Sequence, residues 1–486
     1  LNFGSHTDRF AYYASLSGNR SNLGLQTPQA AILHDAENGF GGFQSLIFNL
    51  DPADQLRLVA SERQDFYQIP NTAVEDAAGM HDAQRETDAL ANFSWVRTLS
   101  PSALLTVSPF FHHNTANYTG GPGDFPISAT DDHTSDYAGA QATLAYDLAA
   151  NNLELGFYGF GQQDQQRFAM RFNDGSNPNF SQNQPASGQL EAEFAQEKYH
   201  PWPWLTLMGG VRQTHFSGSP GGVTENATSP RLGLALQLPR LHWVLRGNYA
   251  RYYQAPPLLT ASGPLLQFVT SQNLGFVPLR GERDEEWQAG LTIPLRGWAL
   301  DGDVFHNRVR NFFDHNNVGN SDIFFPLTIA QARILGFEST LRSPRLWNRG
   351  QVHVAYSNQI AQGAGAITGG LTDFSPPQGY FRLDHDQRNT LSAGLDLNLP
   401  AAAYLSANLS FGSGFANGAA PPPHLPGHAE LDLQLGKQIN HDFSLSATVL
   451  NLTNRHLLTD NSLTFGGTHY NDPRQVYLEL RYRFHY

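Results

Sequence analysis

The sequence predicts an all-β fold, a large antiparallel transmembrane β-barrel with about 20 strands in view. Three observations carry the prediction. Apolar and polar residues alternate with period two in segment after segment, short and long connections take turns along the chain, and the chain stops inside its last strand on an aromatic residue. The whole chain, 1–486, reads as one barrel domain.

The bulk numbers fit. Apolar residues make up 40% and charged residues only 15%, while Gly (45), Pro (29) and aromatic residues (12%) are abundant. That mixture is poor for a soluble core, but it suits a thin apolar outer band around a wet interior. No apolar run reaches the ~18 residues a transmembrane helix needs. The opening Leu1-Asn2-Phe3-Gly4-Ser5 lacks the basic start and apolar core of a signal peptide. Cysteine is absent, which excludes disulfides and thiolate metal sites. The formal charge of −13 leaves no basic footprint for nucleic acid.

Successive strand side chains point to opposite faces, and the segments obey this in order. A first strand is expected near Arg9–Leu25, and a long one over Asn152–Phe168 that should project beyond the bilayer. Trp298, Leu300 and Val304 oppose Asp301 and Asp303. Leu391, Ala393, Leu395, Leu397 and Leu399 oppose Ser392, Asp396 and Asn398. Ala429, Leu431, Leu433 and Leu435 oppose Glu430, Asp432 and Gln434, and Phe443, Leu445, Ala447 and Val449 oppose Ser444, Ser446 and Thr448. In the last segment Val476, Leu478, Leu480, Tyr482, Phe484 and Tyr486 oppose Tyr477, Glu479, Arg481, Arg483 and His485.

A soluble sandwich also alternates, so the connections decide. Short links such as Asp51-Pro52-Ala53-Asp54, Ser100-Pro101-Ser102, Ala150-Asn151, Leu295-Arg296-Gly297 and Pro400-Ala401 alternate with long polar stretches. These run roughly over 68–85, 116–135, 169–187, 254–281, 314–330, 361–385, 414–426 and 453–473. Outer-membrane barrels keep short turns on the periplasmic side and long loops outside. A final strand ending on an aromatic residue also resembles the signal read by outer-membrane assembly machinery, which assigns that role to Leu480, Tyr482, Phe484 and Tyr486.

Longer motifs add a family resemblance. Ser229-Pro230-Arg231-Leu232-Gly233-Leu234 with Leu245 to Pro256, Glu282 to Leu291 with Phe305 to Asn311, Gly336-Phe337-Glu338, and Asn451 to Arg455 with Pro473 to Leu478 occur in an order and spacing similar to the barrel of TonB-dependent outer-membrane receptors. His485 and Tyr486 follow the usual terminal Phe. The resemblance implies a barrel of about 22 strands, an outer-membrane location, an N-terminal plug and first hairpin upstream of Leu1, and energy coupling through that plug to a TonB-type complex. Its ligand would be an iron–siderophore chelate, cobalamin, another metal complex or a glycan. A passive plugless porin-like channel and a surface adhesin or assembly barrel are the alternatives. A bound lipoprotein is a further partner to consider beside the lipid bilayer.

No catalytic constellation and no cofactor motif stand out; Gly120-Gly121-Pro122-Gly123 lacks the Gly-Lys-Ser/Thr of a phosphate loop. Tyr67, Tyr118, Phe125 and Tyr380 are candidate ligand-gripping rings of the outer loops; Phe66, Phe324, Phe325, Phe374 and Tyr470 belong to the same group. His112, His113, Asp131 and His133 are candidate transition-metal ligands, since imidazole and carboxylate suit such ions. Solvated loop residues are the alternative for the metal ligands, and the aromatic girdles at the two membrane interfaces are the alternative for the rings.

Overall fold

Alternating faces allow only one arrangement in lipid, where every backbone group must be paired within the protein. A computed structural model of the chain describes residues 1–219, 222–259, 263–271, 275–317, 324–372, 375–417, 422–462 and 467–484. Its strands are β1 (Asn2–His6), β2 (Phe10–Ser21), β3 (Glu37–Asn49), β4 (Asp54–Gln68), β5 (Ala83–Ser100), β6 (Ala103–Thr119), β7 (Ile127–Leu148), β8 (Asn151–Phe172), β9 (Phe180–Trp202), β10 (Leu205–Ser219), β11 (Val223–Leu238) and β12 (Trp243–Gln254). There follow β13 (Phe276–Val277), β14 (Glu282–Leu295), β15 (Trp298–Asn317), β16 (Phe324–Arg342), β17 (Gly350–Leu371), β18 (Tyr380–Arg382), β19 (Asn389–Leu399), β20 (Ala403–Gly412), β21 (His428–Gln438), β22 (Phe443–Leu450), β23 (Leu458–Ser462), β24 (Gly467–Tyr470) and β25 (Gln475–Tyr482).

The main sheet has 23 strands, all paired antiparallel. Two of them, β13 and β18, are short additions on long loops, which leaves 21 (23 − 2) in one continuous up-and-down meander from β1 to β25. β23 and β24 form a separate hairpin in the last outer loop. Two short helices occur, α1 (Ala73–Ala78) and α2 (Gly263–Ser271), and among the described residues no helix is long and apolar enough to cross a membrane.

The periplasmic turns are built by local chemistry. Asp51 accepts hydrogen bonds from the backbone of Ala53 (2.7 Å) and Asp54 (2.9 Å). Asn440 does the same for Asp442 and Phe443, each at 2.9 Å. Arg296 and Gly297 both take positive φ, 51° and 86°, the backbone of the tight primed turn that matches strand twist.

Register fixes the faces. Leu291, Gly302 and Ser339 lie outward in line with Leu245, while Arg246, Gly290 and Asp303 share the opposite, lumenal row. Inside, Arg246 bridges Asp301 (2.7 Å) and Asp303 (2.8 Å), so charges on the wet face are paired. Outside, Leu478 and Leu480 of β25 are 79% and 63% exposed, which in this fold is exposure to acyl chains.

Three sequence expectations need correction. β1 was not expected, because its Gly4-Ser5-His6 carries no apolar alternation; backbone pairing to β2 alone defines it. Second, stretches expected as loops over 116–135 and 169–187 are largely strand: β6 and β8 run on to Thr119 and Phe172, and β7 and β9 begin at Ile127 and Phe180. Above the bilayer both faces of a strand are polar, so the period-two signal fades although the ladder continues. Third, the long stretches 68–85 and 254–281 each hold a helix; α1 has a capping box in which Thr72 and Glu75 each cap the other's backbone. The wall is uneven as a result. β7, β8 and β9 have 22, 22 and 23 residues, whereas β19, β20, β21 and β22 have 11, 10, 11 and 8.

β1 and β25 both run toward the periplasm, and among the described residues no ladder joins them. The loops above them do meet: the Tyr470 N–H donates to the Thr27 carbonyl at 2.9 Å, and the Thr459 hydroxyl to Gln26 Oε1 at 2.9 Å.

Candidate functional site

The lumenal side of β8 reads as a column. Even-numbered residues face inward, beginning with Glu154 near the periplasmic turn and passing through Tyr158, Phe160, Gln162, Asp164 and Gln166 to Phe168, Met170 and Phe172 at the extracellular end. Each stretch is matched by its neighbours.

The middle stretch is aromatic. Phe110 stacks on Tyr158 (centroids 5.9 Å apart), Tyr158 meets Phe160 (5.8 Å), Phe160 meets Tyr137 (5.6 Å), and Tyr137 stacks on His112 (5.8 Å). The Arg212 guanidinium lies over Tyr158 at 5.7 Å, which adds a cation–π contact. Beside it lies a hollow of about 410 Å³ lined by Glu154, Tyr158, Gln196, Arg212 and Arg231 among others.

Above the rings is a polar stretch. Gln162 Nε2 donates to the Tyr137 hydroxyl oxygen (3.0 Å) and to Asp164 (2.8 Å), and the Ser135 hydroxyl donates to the same carboxylate. Gln166, 2% exposed, donates through Nε2 to Asp131 at 2.9 Å and lies 2.9 Å from His133 Nε2, while its Oε1 has no partner. A buried carbonyl oxygen without a donor is costly.

The top of the column is dry. Phe168, Met170 and Phe172 join Tyr118 of β6, Ala129 of β7, Leu265 of α2, Phe325 of β16 and Leu371 of β17 in one buried cluster, with Ile69, Ile127, Phe180, Leu266 and Phe276 packed against it. β6–β8 and β16–β17 are two separate groups of the sheet, so the cluster reaches across the mouth. α2 holds it from above: Leu265 is fully buried, its backbone N–H donates to Gln182 Oε1 at 3.1 Å, and β13 just beyond pairs with the end of β17.

The loops around this cap are themselves tied. The Asp82 carboxylate accepts from the Tyr118 hydroxyl and from the Gly121 N–H (2.7 Å), and the His34 ring stacks on His81 with centroids 4.7 Å apart. Asp35, 3% exposed, accepts from the N–H groups of Gly24 (3.1 Å) and Leu25 (2.9 Å). Burial, aided by nearby Asp472 and Glu37, outweighs those two bonds and pushes its carboxyl up to about 6. Burial raises Asp472 as well.

The four candidate rings do not converge. Tyr118 is in the dry cap, and Tyr67 donates to Glu86 at 2.6 Å on the lumenal wall. Phe125 is 65% exposed on the loop after β6. Tyr380 pairs with Ala364 on the outward side of β17 and carries the Arg333 guanidinium 3.7 Å from its ring centroid. Phe325 is in the cap and Phe66 carries Arg85 at 5.9 Å; the Phe324 side chain and Phe374 lie outside the described residues.

Of the four candidate metal ligands only Asp131 and His133 meet, and all four lie on strands instead of loops. His112 bonds Asp88 (2.6 Å), His113 bonds Asp136 (2.8 Å) and His133 bonds Asp131 (2.9 Å). Consecutive strand residues face oppositely, so His113 points away from the lumenal side that His112, Asp131 and His133 share. Among the described residues no group of three or more such ligands comes together. At the chain end, Leu480 and Tyr482 share the outward face, Phe484 packs edge-on to Tyr482 at 4.6 Å, and Tyr486 lies outside the described residues.

Sequence reasoning missed Phe110, Tyr137, Tyr158, Phe160 and Arg212. Parity along 152–172 was the available signal, but aromatic residues in a barrel strand also suit an interfacial girdle.

A 21-strand meander, wet inside and apolar outside, with one mouth bridged by its own loops, defines an outer-membrane barrel of the receptor class. The family model for the TonB dependent receptor-like β-barrel matches residues 7–452, and the chain belongs to that family, in the bacterial outer membrane. Its fold is that of several solved receptors. The ferric-catecholate import receptor Fiu of E. coli K12 aligns at TM-score 0.72 and 14% identity, over 100% of this chain and 79% of its own. The ferric yersiniabactin uptake receptor FyuA of Yersinia pestis aligns at 0.76 and 12%, over 100% and 77%. The copper transporter OprC aligns at 0.74 and 12%, over 99% and 76%. No curated protein sequence matches the chain.

Proposed function

We propose that this barrel takes up a scarce metal chelate across the outer membrane, driven by a TonB-type complex that pulls on a plug within the lumen. The observation that carries the reading is the capped mouth above a ligand-sized column of rings, amides and carboxylates. A passive porin has no use for a dry cluster across its entrance, whereas a receptor that must hold its cargo does. The chelate class follows the column: flat or apolar faces against Phe110, Tyr137, Tyr158 and Phe160, and hydroxyl or amide groups toward Gln162 and Asp164. Solved receptors of the same fold carry names with ferric-catecholate, ferric yersiniabactin and copper cargo, which supports a metal complex over a glycan.

The plug and the remainder of the first hairpin are proposed to precede Leu1. β1 and β25 run in the same direction, so an antiparallel closure takes one ascending strand between them, and about a quarter of each solved receptor lies outside the match. Intact mass and N-terminal sequencing of the native protein test this; a mature chain beginning at Leu1 refutes it.

Uptake is tested in whole cells with radiolabelled ferric chelates. Accumulation that needs both this protein and the proton-motive force supports the reading. Accumulation that survives an uncoupler, with steady conductance in planar bilayers, favours the passive channel. Tyr158→Ala is expected to weaken chelate binding by roughly tenfold, the loss of one stacked ring at about 1–1.5 kcal/mol.

A further inference from the structure

The outer wall carries a second organised feature, far from the lumen. On the outward faces of β12, β14, β15 and β16 the register sets three rows, one above another. The lowest is Gly247, Ala289, Val304 and Phe337; the next is Tyr249, Trp287, His306 and Leu335; the uppermost is Arg251, Glu285, Arg308 and Arg333. Each step is two residues, about 7 Å.

The lowest row leaves a groove. Gly247 has open space where a Cβ would stand, and the hollow over it measures about 640 Å³, lined by Leu232, Leu234, Tyr249, Trp287, Val304 and His306 with others. The middle row closes its top with rings: Tyr249 and Trp287 lie 5.6 Å apart and Trp287 and His306 5.8 Å. Such rings mark the level where acyl chains give way to headgroups.

Above them positive charge accumulates. Arg308 lies over Trp287 at 5.3 Å, and the next row up places Arg283 opposite Arg310. Glu285 is the one carboxylate in the row and is taken by Arg251 (2.9 Å) and the Tyr249 hydroxyl (2.7 Å); Arg283 reaches Glu225 at 3.2 Å. Among the described residues no carboxylate lies within 4.0 Å of Arg308 or Arg310. Glu285 also stands opposite Arg308 and attracts it, but it is one carboxylate against Arg251, Arg308 and Arg333 in its row, with Arg310 above, and on a chain of net charge −13 that local excess of arginine at headgroup height calls for an anion.

We propose that this wall is a docking site for a phosphorylated, multiply acylated glycolipid of the outer leaflet. One acyl chain lies in the groove over Gly247, the sugar headgroup rests on the Tyr249–Trp287–His306 rings, and its phosphates meet Arg308 and Arg310. Guanidinium forks match phosphate oxygens in pairs, and the vertical order of the rows, apolar then aromatic then cationic, is the order of such a lipid's parts. The site is independent of the uptake reading, since none of these residues faces the lumen.

The test uses the native protein, delipidated in mild detergent, placed in phosphatidylcholine nanodiscs and exposed to diphosphoryl lipid A. Native mass spectrometry after washing reads retained lipid per protein. The expected result is retention of lipid A that equal phosphatidylglycerol does not displace. Arg308→Gln with Arg310→Gln should lower it by about tenfold or more, at roughly 1 kcal/mol per cation near a charged headgroup. Gly247→Leu, which fills the groove without touching charge, should lower it too. Heat-modifiable gel migration shows that each variant is folded. Equal retention by both variants, equal displacement by phosphatidylglycerol, or a protein dimer covering this face would each overturn the proposal.

Discussion

Replacing Leu265 by Ala tests whether the dry cluster is the barrier at the mouth. Leu265 is fully buried in the cluster that includes Phe168, Met170 and Leu371. Truncating such a leucine costs about 2–5 kcal/mol through lost transfer energy and the cavity left behind. The cost falls on α2 and its contacts, because the strands beneath are held by their own ladders. Taking about 3 kcal/mol, and tenfold per 1.4 kcal/mol, the cap should open roughly a hundred times more often. The chain has no cysteine, so Ser135→Cys makes a single reporter on the lumenal wall below the cap. Whole cells carrying it, with and without Leu265→Ala, are treated with a membrane-impermeant maleimide, and the labelling rate is measured. The rate should rise by about two orders of magnitude if opening is fast relative to labelling. Two results refute the reasoning: rapid labelling without the substitution means the mouth is already open, and equally slow labelling with it means the barrier is elsewhere.

Other outcomes follow from the same geometry. Asp35 is raised in the folded state, so its neutral form is favoured there; the stability it contributes is full below about pH 4 and is lost as pH rises through about 6, up to about 3 kcal/mol for the loop contacts it supports. Hydrogen exchange of residues 22–36 should therefore be better protected at pH 5 than at pH 7.5, and Asp35→Asn should remove the difference. Leu245→Arg, on the lipid face, should destabilise the barrel by about 2–4 kcal/mol, whereas Gln288→Arg, on the lumenal face, should be tolerated within about 1 kcal/mol; urea unfolding in liposomes separates them. Ala401 and Ala402 sit in one turn at φ 59° and 56°, a conformation that costs a side chain about 1 kcal/mol. Ala401→Asn with Ala402→Gly should raise the unfolding midpoint, and an unchanged or lower midpoint would show that the turn is not strained.

How much of this was legible depends on the solvent each segment meets. Within the bilayer one face meets lipid and the other water, and 429–435 or 443–449 announce themselves by period two. Beyond it both faces meet water, so Thr130–Ser135 and Ser181–Ser187 hid their strand character behind polar residues, although the long strand over Asn152–Phe168 was legible. β1 was hidden by its five-residue length, with glycine and serine where an apolar face would have shown. The imidazoles at 112 and 113 could have been separated from sequence alone, since adjacent positions on a strand cannot share a face. The cap could not. Leu265 and Phe168 are almost a hundred residues apart, and nothing in either segment says that a loop helix from one side of the ring will rest on strands from the other.

The uneven strand lengths give the receptor a direction. With about a dozen more residues per strand, at roughly 3.3 Å of rise and ~40° of tilt, the β7–β9 wall stands some 30 Å above the β19–β22 rim. The helix that closes the mouth leans on the tall wall, through Leu265 and Gln182. A molecule diffusing down to the surface therefore meets stiff, hydrogen-bonded sheet on the tall side and loops, the β23–β24 hairpin among them, above the low rim. Capture would proceed past those loops and under the overhang, and crowding by neighbouring surface sugars would hinder approach from the low side far more than from the high one.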